Sequence, residues 1–211
     1  MKNSIKNLAV ALTLTGVVLT GSAFTSKATE NTQQVTVLGE VKKVNKINVS
    51  GNVELILVQS ADESVKVYDN YFSKNALVQQ KNGELRISSF NKETLTVVVY
   101  VSNLNEISAS NNATVRTVGK FSTLDLDVNL KDNATAKLNT NTISLSTNVS
   151  GNANLTLTGS TTAYDAVLGN IAKVNTDQFV AESTSIKSNN VAIASVNAPA
   201  TLPTLDDLAN L

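Results

Sequence analysis

Cysteine, histidine and tryptophan are absent from this 211-residue chain, and proline occurs only twice. Without Cys and His, the side chains that usually hold zinc, iron or copper are missing, so we expect no metal site and no cofactor. The same absence excludes Ser–His–Asp and Cys–His catalysis. Aromatic residues make up only 4% of the chain, which leaves few rings to form a ligand-binding platform.

An excess of charge of either sign is also absent, because 17 basic residues balance 17 acidic ones. Binding to nucleic acid or to an anionic membrane depends on a surplus of positive charge. We therefore expect no nucleic-acid partner.

The N-terminus has the pattern of an export signal. Lys2 and Lys6 precede a largely apolar run over residues 8–19, and Ser26-Lys27-Ala28 suits signal-peptidase cleavage. We predict a Sec signal peptide over residues 1–28 and a surface, secreted or periplasmic location. An uncleaved membrane anchor is the alternative, but the run is short for a span. Cleavage would leave 14 basic residues against 17 acidic ones, with no transmembrane segment in the mature chain.

A short motif recurs through the rest of the chain: a small or flexible residue followed by Asn, between apolar residues that alternate with polar ones. Alternation with period two is typical of a strand with one buried face. From Asn112 onward the motif returns after 21, 19, 18 and 20 residues. The predicted structural corner residues are Gly51-Asn52, Asn111-Asn112, Asp132-Asn133, Gly151-Asn152, Gly169-Asn170 and Asn189-Asn190.

A period near 20 built from short strands is typical of a β-solenoid. We predict an all-β fold, a single-stranded right-handed parallel β-helix with rungs of about 20 residues, and an N-terminal strand and hairpin cap turning at Asn82-Gly83. The hand follows from the general preference for right-handed crossovers and from the lack of hexapeptide repeats. The expected divisions are a lead-in over 29–46, the solenoid over 47–197 and a tail over 198–211.

The corners demand an unusual backbone conformation, since a sharp turn places one residue in the left-handed region. Gly, Asn and Asp tolerate that region best, and one of them precedes the Asn in all six copies. Stacked corners would let the Asn amides bond to one another as a ladder. A calcium or glycan site is the alternative, although only Asp132 places a carboxylate at a corner.

Paired carboxylates are the remaining candidate for catalysis. Asp125 and Asp127 have the same strand parity, and two carboxylates 5–9 Å apart, as a rough range, support glycoside hydrolysis. No basic residue accompanies them in that strand, so we interpret them as a solvated face and expect no catalytic residues.

One segment carries a family resemblance. The stretch Ile47-Asn48-Val49-Ser50-Gly51-Asn52-Val53-Glu54-Leu55-Ile56-Leu57, with Gln59 and Ser64-Val65-Lys66-Val67 after it, resembles the start of the "putative auto-transporter adhesin, head GIN domain" family. That family is a domain of unknown function common in exported Bacteroidetes proteins, and the likeness extends over about residues 40–197. This chain has Asn where the family often has Gly-Asp. The resemblance implies a right-handed parallel β-helix in an envelope or secreted protein, and brings no catalytic residues.

Composition, repeat and resemblance together predict a non-enzymatic, exported module for surface adhesion or scaffolding. A glycan or a protein at the cell surface is the expected partner, and a homo-oligomer is compatible with the sequence. The first alternative is a periplasmic structural or envelope protein. The second, from another class, is a polysaccharide-active enzyme, for which substitution of Asp125 or Asp127 would abolish turnover.

Overall fold

A computed structural model describes residues 35–38, 41, 43–68 and 76–188 of the chain. In these ranges the regular structure is entirely β, and no helix has the length and apolar character needed to cross a bilayer. The predicted signal peptide and the tail over 198–211 lie outside the described residues. The strands are β1 Val35–Leu38, β2 Lys46–Gly51, β3 Val53–Gln59, β4 Ser64–Tyr68, β5 Ala76–Lys81, β6 Glu84–Ser89, β7 Leu95–Val101, β8 Glu106–Ser110, β9 Thr114–Val118, β10 Phe121–Ser122, β11 Asp125–Leu130, β12 Thr135–Val149, β13 Asn154–Leu168 and β14 Lys173–Ser188.

Period-two alternation explains why these segments are strands. In β2, Ile47 and Val49 are buried while Lys46 and Asn48 are exposed, and β3 continues the pattern with Leu55 and other buried residues. Burying a Val, Leu or Ile side chain contributes about 1.5–3 kcal/mol, so the inward positions supply most of the stabilisation. The outward positions are left free to be polar.

Parallel pairing arranges the strands in two columns joined at the Asn corners. The upstream column holds the strands before a corner: β6, β2, β8 and β11, then the second halves of β12, β13 and β14. The downstream column holds β7, β3 and β9, then the first halves of β12, β13 and β14. From β8 onward, successive units pair at an offset of about 20 residues, which is the period of the motif.

The spatial order of the strands differs from their order in the chain. β2 lies between β6 and β8, and β3 lies between β7 and β9. The unit formed by β6 and β7 is therefore on the far side of the β2–β3 unit, and the chain returns to place β8 and β9 on the near side. A solenoid winds its rungs in chain order, and this sheet does not.

Strands in the N-terminal part of the sheet also form antiparallel pairs. β1 pairs with β4, β4 with β7, and β5 with β6, all antiparallel. The β5–β6 turn has Asn82 at φ 52° and Gly83 at φ 80°, so the hairpin predicted there is confirmed. The predicted right-handed parallel β-helix is wrong: the fold is a mixed parallel and antiparallel, curled half-barrel sheet. The 20-residue period reports the offset between paired strands, and that offset does not determine how the sheet winds.

The hydrophobic core contains a few buried hydroxyl groups in β12 and β13. Thr142 Oγ1 donates to Thr161 Oγ1 at 2.8 Å, and Thr147 Oγ1 lies 3.1 Å from Tyr164 Oη. Burial raises the pKa of the Tyr164 phenol, while its contact with Thr147 lowers it. Among the described residues, Thr140 Oγ1 is the buried side-chain atom that has no hydrogen-bond partner.

Glu63 connects the residues just before β2 with the residue that follows β7. Its carboxylate accepts hydrogen bonds from the backbone N–H groups of Lys43, Val44 and Ser102, and from Ser102 Oγ at 2.7 Å. Burial opposes ionisation of this carboxyl, but the bonds from Ser102, Lys43 and Val44 lower its pKa below the usual value of 4.5. The charged form of Glu63 therefore favours the folded state.

Candidate functional site

The predicted corner residues lie where strands of the upstream column pass into the downstream column. Four of them have positive φ, and each is the residue that precedes the Asn: Gly51 (84°), Asn111 (59°), Asp132 (60°) and Gly151 (67°). The strain of the turn is therefore carried by the preceding residue, while the Asn itself keeps an ordinary backbone conformation. Gly169 and Asn170 form the next corner, where no positive φ occurs, and Asn189-Asn190 lie outside the described residues.

Three of the corner amides contact one another in sequence. Asn133 Nδ2 donates to Asn112 Oδ1 at 3.3 Å, and Asn152 Nδ2 donates to Asn133 Oδ1 at 3.5 Å. Asn52 is turned away from this row and donates instead to the carbonyl of Lys92 at 2.9 Å. The corner side chains thus bond to one another or to a neighbouring loop, and this use of their polar groups is structural.

A groove lies on the outward face of the upstream column and extends to the residues just before two of the corners. We name it the polar groove; its volume is about 390 Å³. Its lining is almost entirely amide, hydroxyl and charged: Asn48, Glu106, Ser108, Ala109, Ser110, Asn129, Lys131 and Asn148. These residues come from β2, β8, β11 and β12 and from the turn after β11, so the groove runs across the strands.

Strand register aligns four groove residues in one row. Asn48 is paired with Ser108, Ser108 with Asn129, and Asn129 with Asn148. Neighbouring strands are about 4.8 Å apart, so the row presents a polar side chain at each such step. Within the described ranges the three amide side chains have no hydrogen-bond partner, which leaves their donors and acceptors available to a ligand.

Glu106 is the charged wall of the groove and is held in place by two neighbours. Its Oε2 accepts a bond from Lys46 Nζ at 2.7 Å, and its Oε1 accepts one from Ser108 Oγ at 3.2 Å. The bond to Glu106 raises the pKa of Lys46, so the ammonium group stays charged at neutral pH. The carboxylate is therefore oriented by the protein before any ligand arrives.

The carboxylates considered for catalysis do not form an enclosed site. Asp125 and Asp127 are exposed on one face of β11, and neither lines the polar groove. Across the strands Asp127 faces Glu106 and Ser146, and Asp125 faces Ser144. No group of three or more acidic residues in the described part of the chain is placed to hold a metal ion.

The sequence did not single out the groove residues. Asn48, Ser108, Asn129 and Asn148 are ordinary outward positions in their strands, and Asn48 is 60 residues from its partner Ser108. Alternation predicts that each of them faces outward, but only the strand order brings them together. A list of outward residues for each unit, aligned on the corner Asn, would have shown the Asn and Ser enrichment at this position.

Comparisons with known proteins agree with the family resemblance. The model of the family described as "Putative auto-transporter adhesin, head GIN domain" matches residues 43–203. No curated protein matches the chain.

Solved structures share the fold. A putative adhesin from Parabacteroides merdae superimposes with a TM-score of 0.62 at 15% identity, covering 75% of this chain and 78% of that one. A putative adhesin from Parabacteroides distasonis gives 0.59 at 16% identity, covering 75% and 79%. A protein from the same species described as a putative lipid binding protein gives 0.58 at 10% identity, again covering 75% and 79%. At such identities the likeness establishes the fold alone.

Proposed function

We propose that this chain, which belongs to the head GIN domain family of putative auto-transporter adhesins, is an exported, non-enzymatic module that binds saccharide chains through the polar groove. The observation that carries the proposal is the row Asn48, Ser108, Asn129 and Asn148. Amide and hydroxyl groups both donate and accept hydrogen bonds, as sugar hydroxyls do, so the two surfaces are complementary. The family's description as an adhesin supports a binding role.

The shape of the groove also suits an extended ligand. The row crosses four parallel strands, and its three intervals span roughly 14 Å. Because the groove is lined by residues on rigid strands, a bound chain would meet donors and acceptors that are already positioned, which reduces the ordering cost of binding. The scarcity of aromatic residues predicts weak affinity for a single site, and many copies on one cell would compensate through multivalency.

A binding assay on immobilised neutral oligosaccharides tests the groove. We expect the double variant Asn129→Ala/Asn148→Ala to lose most of the binding while its free energy of unfolding stays within about 0.5 kcal/mol of wild type, because both side chains lie on the outward face. The matched control is Asn175→Ala, an exposed amide of β14 outside the groove. Absence of binding by the wild-type chain, or an equal loss in the control, would refute the proposal.

Protease treatment of intact cells, followed by an antibody against the mature chain, tests the location. Loss of the protein from intact cells supports surface adhesion. Protection until the outer membrane is opened would favour the alternative, a structural protein of the periplasm, and the adhesion role would be withdrawn.

A further inference from the structure

A second groove adjoins the polar groove at the hairpin end of the upstream column. We name it the basic groove; its volume is about 340 Å³ and it is lined by Lys46, Gln79, Lys81, Asn82, Glu84 and Arg86. Lys46 of this lining is bonded at 2.7 Å to Glu106 of the polar groove, so the two grooves meet at that ion pair. The two grooves are therefore neighbours on the same face of the sheet.

Strand register makes the continuity explicit. Arg86 is paired with Asn48 on one side and with Gln79 on the other. The row of the polar groove is thereby extended across β6 and β5, and its six positions span roughly 24 Å. One end of this long row is uncharged, and the other carries a guanidinium group.

Positive charge exceeds negative charge in the basic groove, because three cations accompany the single carboxylate of Glu84. Lys81 has no ion pair with any described residue. Arg86 uses two of its five donors on Glu84, with Nε–Oε1 and Nη2–Oε2 distances of 2.9 Å each. Donors on Arg86 and on Lys81 are thus left for an anion.

The bonds to Glu84 show that the guanidinium group of Arg86 binds a carboxylate. Two parallel N–H···O bonds are the geometry by which a guanidinium binds a planar carboxylate. The pair is on the surface, with the Arg86 side chain 63% exposed, and exposed pairs contribute little to stability. A carboxylate from outside can therefore share the fork or displace Glu84 without disturbing the sheet.

We infer that the basic groove binds the carboxylate of an acidic saccharide whose neighbouring sugar units lie along the polar groove. This inference rests on the proposed function, and adds the class of sugar: a chain that contains uronic acid or another carboxylated unit. Arg86 and Lys81 bind the carboxylate, and Glu84 competes with the ligand for Arg86. Removal of Glu84 should then strengthen binding, an effect that a purely structural role would not produce.

Calorimetry with tetragalacturonate and with its neutral counterpart, galactotetraose, tests the inference. We expect Arg86→Gln and Lys81→Gln each to weaken tetragalacturonate binding by roughly tenfold, as for the loss of one charge-assisted bond, and to weaken galactotetraose binding by much less. Glu84→Gln should strengthen tetragalacturonate binding several-fold. The control is Lys120→Gln, an exposed lysine remote from both grooves. Salt should weaken binding of the acidic sugar alone.

Three results would overturn the inference. The first is equally tight binding of the acidic and neutral tetrasaccharides that is lost when Asn129 is substituted. The proposed function would then stand, but the basic groove would not recognise a carboxylate. The second is unchanged or weaker tetragalacturonate binding by Glu84→Gln. The third is equally tight binding of hexaglutamate, which would make the partner an acidic peptide. If neither tetrasaccharide binds, the inference and the proposed function are both overturned.

Discussion

Two glycines have similar positive φ angles but differ in how closely other atoms approach them. Comparing them allows the energetic cost of the close packing at the corner to be measured. Gly51 has φ +84° and Gly119 has φ +74°. A Cβ at Gly51 would lie 2.0 Å from the carbonyl oxygen of Ser89, whereas a Cβ at Gly119 would meet nothing within 4 Å. Alanine at either position therefore incurs the strain of a positive φ, and only Gly51→Ala adds an overlap with backbone.

The magnitudes separate the two variants clearly. Left-handed strain costs an alanine about 1–2 kcal/mol. The overlap at Gly51 requires Ser89 to move, at about 1–3 kcal/mol for overpacking, and disturbs the bond that the Ser89 carbonyl accepts from the Asn52 N–H, worth about 1 kcal/mol. We expect losses of about 1–2 kcal/mol for Gly119→Ala and about 3–6 kcal/mol for Gly51→Ala.

Urea unfolding followed by far-UV circular dichroism provides the assay, since the chain has no tryptophan. Gly151→Ala belongs in the same series, because its Cβ would lie 2.9 Å from the backbone of Asp132, and it should fall between the other two. It also keeps the test informative if Gly51→Ala does not fold. Equal losses in Gly51→Ala and Gly119→Ala, or a Gly151→Ala variant no worse than Gly119→Ala, would refute the packing argument.

Three further comparisons, which use five substitutions, test other contacts. Asp132→Val should lower the free energy of unfolding by about 1–3 kcal/mol, because it places a β-branched residue at φ 60°. Asn133→Val loses only two long, exposed hydrogen bonds and should cost less than about 1 kcal/mol in the same unfolding assay. A larger loss for Asn133→Val than for Asp132→Val would contradict the assignment of the strained conformation to Asp132. Glu63→Gln should lower the thermal midpoint at pH 7, and the difference between the variant and wild type should disappear in acid. Because the pKa of Glu63 is lowered in the folded protein, its stabilising effect is complete above the unfolded-state pKa and is lost as the pH falls through the folded-state pKa. A pH-independent difference would contradict that role. Thr140→Val should leave the free energy of unfolding equal or raise it, because the buried hydroxyl has no partner among the described residues. Thr142→Val, which loses the bond to Thr161, should lower the free energy of unfolding by about 1 kcal/mol, and equal losses would contradict this distinction.

Local structure was predictable from the sequence because local rules govern it. Alternation identified the inward faces of β2 and β3, and Asn82-Gly83 identified the hairpin between β5 and β6. The corner motif also identified a position that tolerates the left-handed region, and the positive φ occurs at Asp132 and its equivalents, the residue before each Asn. Each of these features depends on fewer than ten consecutive residues.

Strand order was not predictable in the same way. Placing β6 and β7 on the far side of β2 and β3 leaves every buried residue buried, and the alternation of each strand is identical in either arrangement. The choice depends on the antiparallel pairs β4–β7 and β5–β6, which redirect the chain before it can continue as a rung. A repeat that begins clearly only at Asn112 contains no information about that first reversal.

The same reversal determines what the outward face can bind. If β6 followed β2 and β3 in chain order, Arg86 would lie between Asn48 and Ser108, and a charged side chain would interrupt the uncharged row. In the observed order Asn48 contacts the Ser108 strand directly, and Arg86 is displaced to the end of the row beside Gln79. The row itself therefore has a continuous series of amide and hydroxyl side chains, with the one charged member, Arg86, near the hairpin end. Under the proposed binding of saccharides, that asymmetry would give a bound chain a direction, with its carboxylate at the hairpin and its neutral units toward Asn148. An oligosaccharide with one terminal uronic acid should then bind better than its neutral analogue.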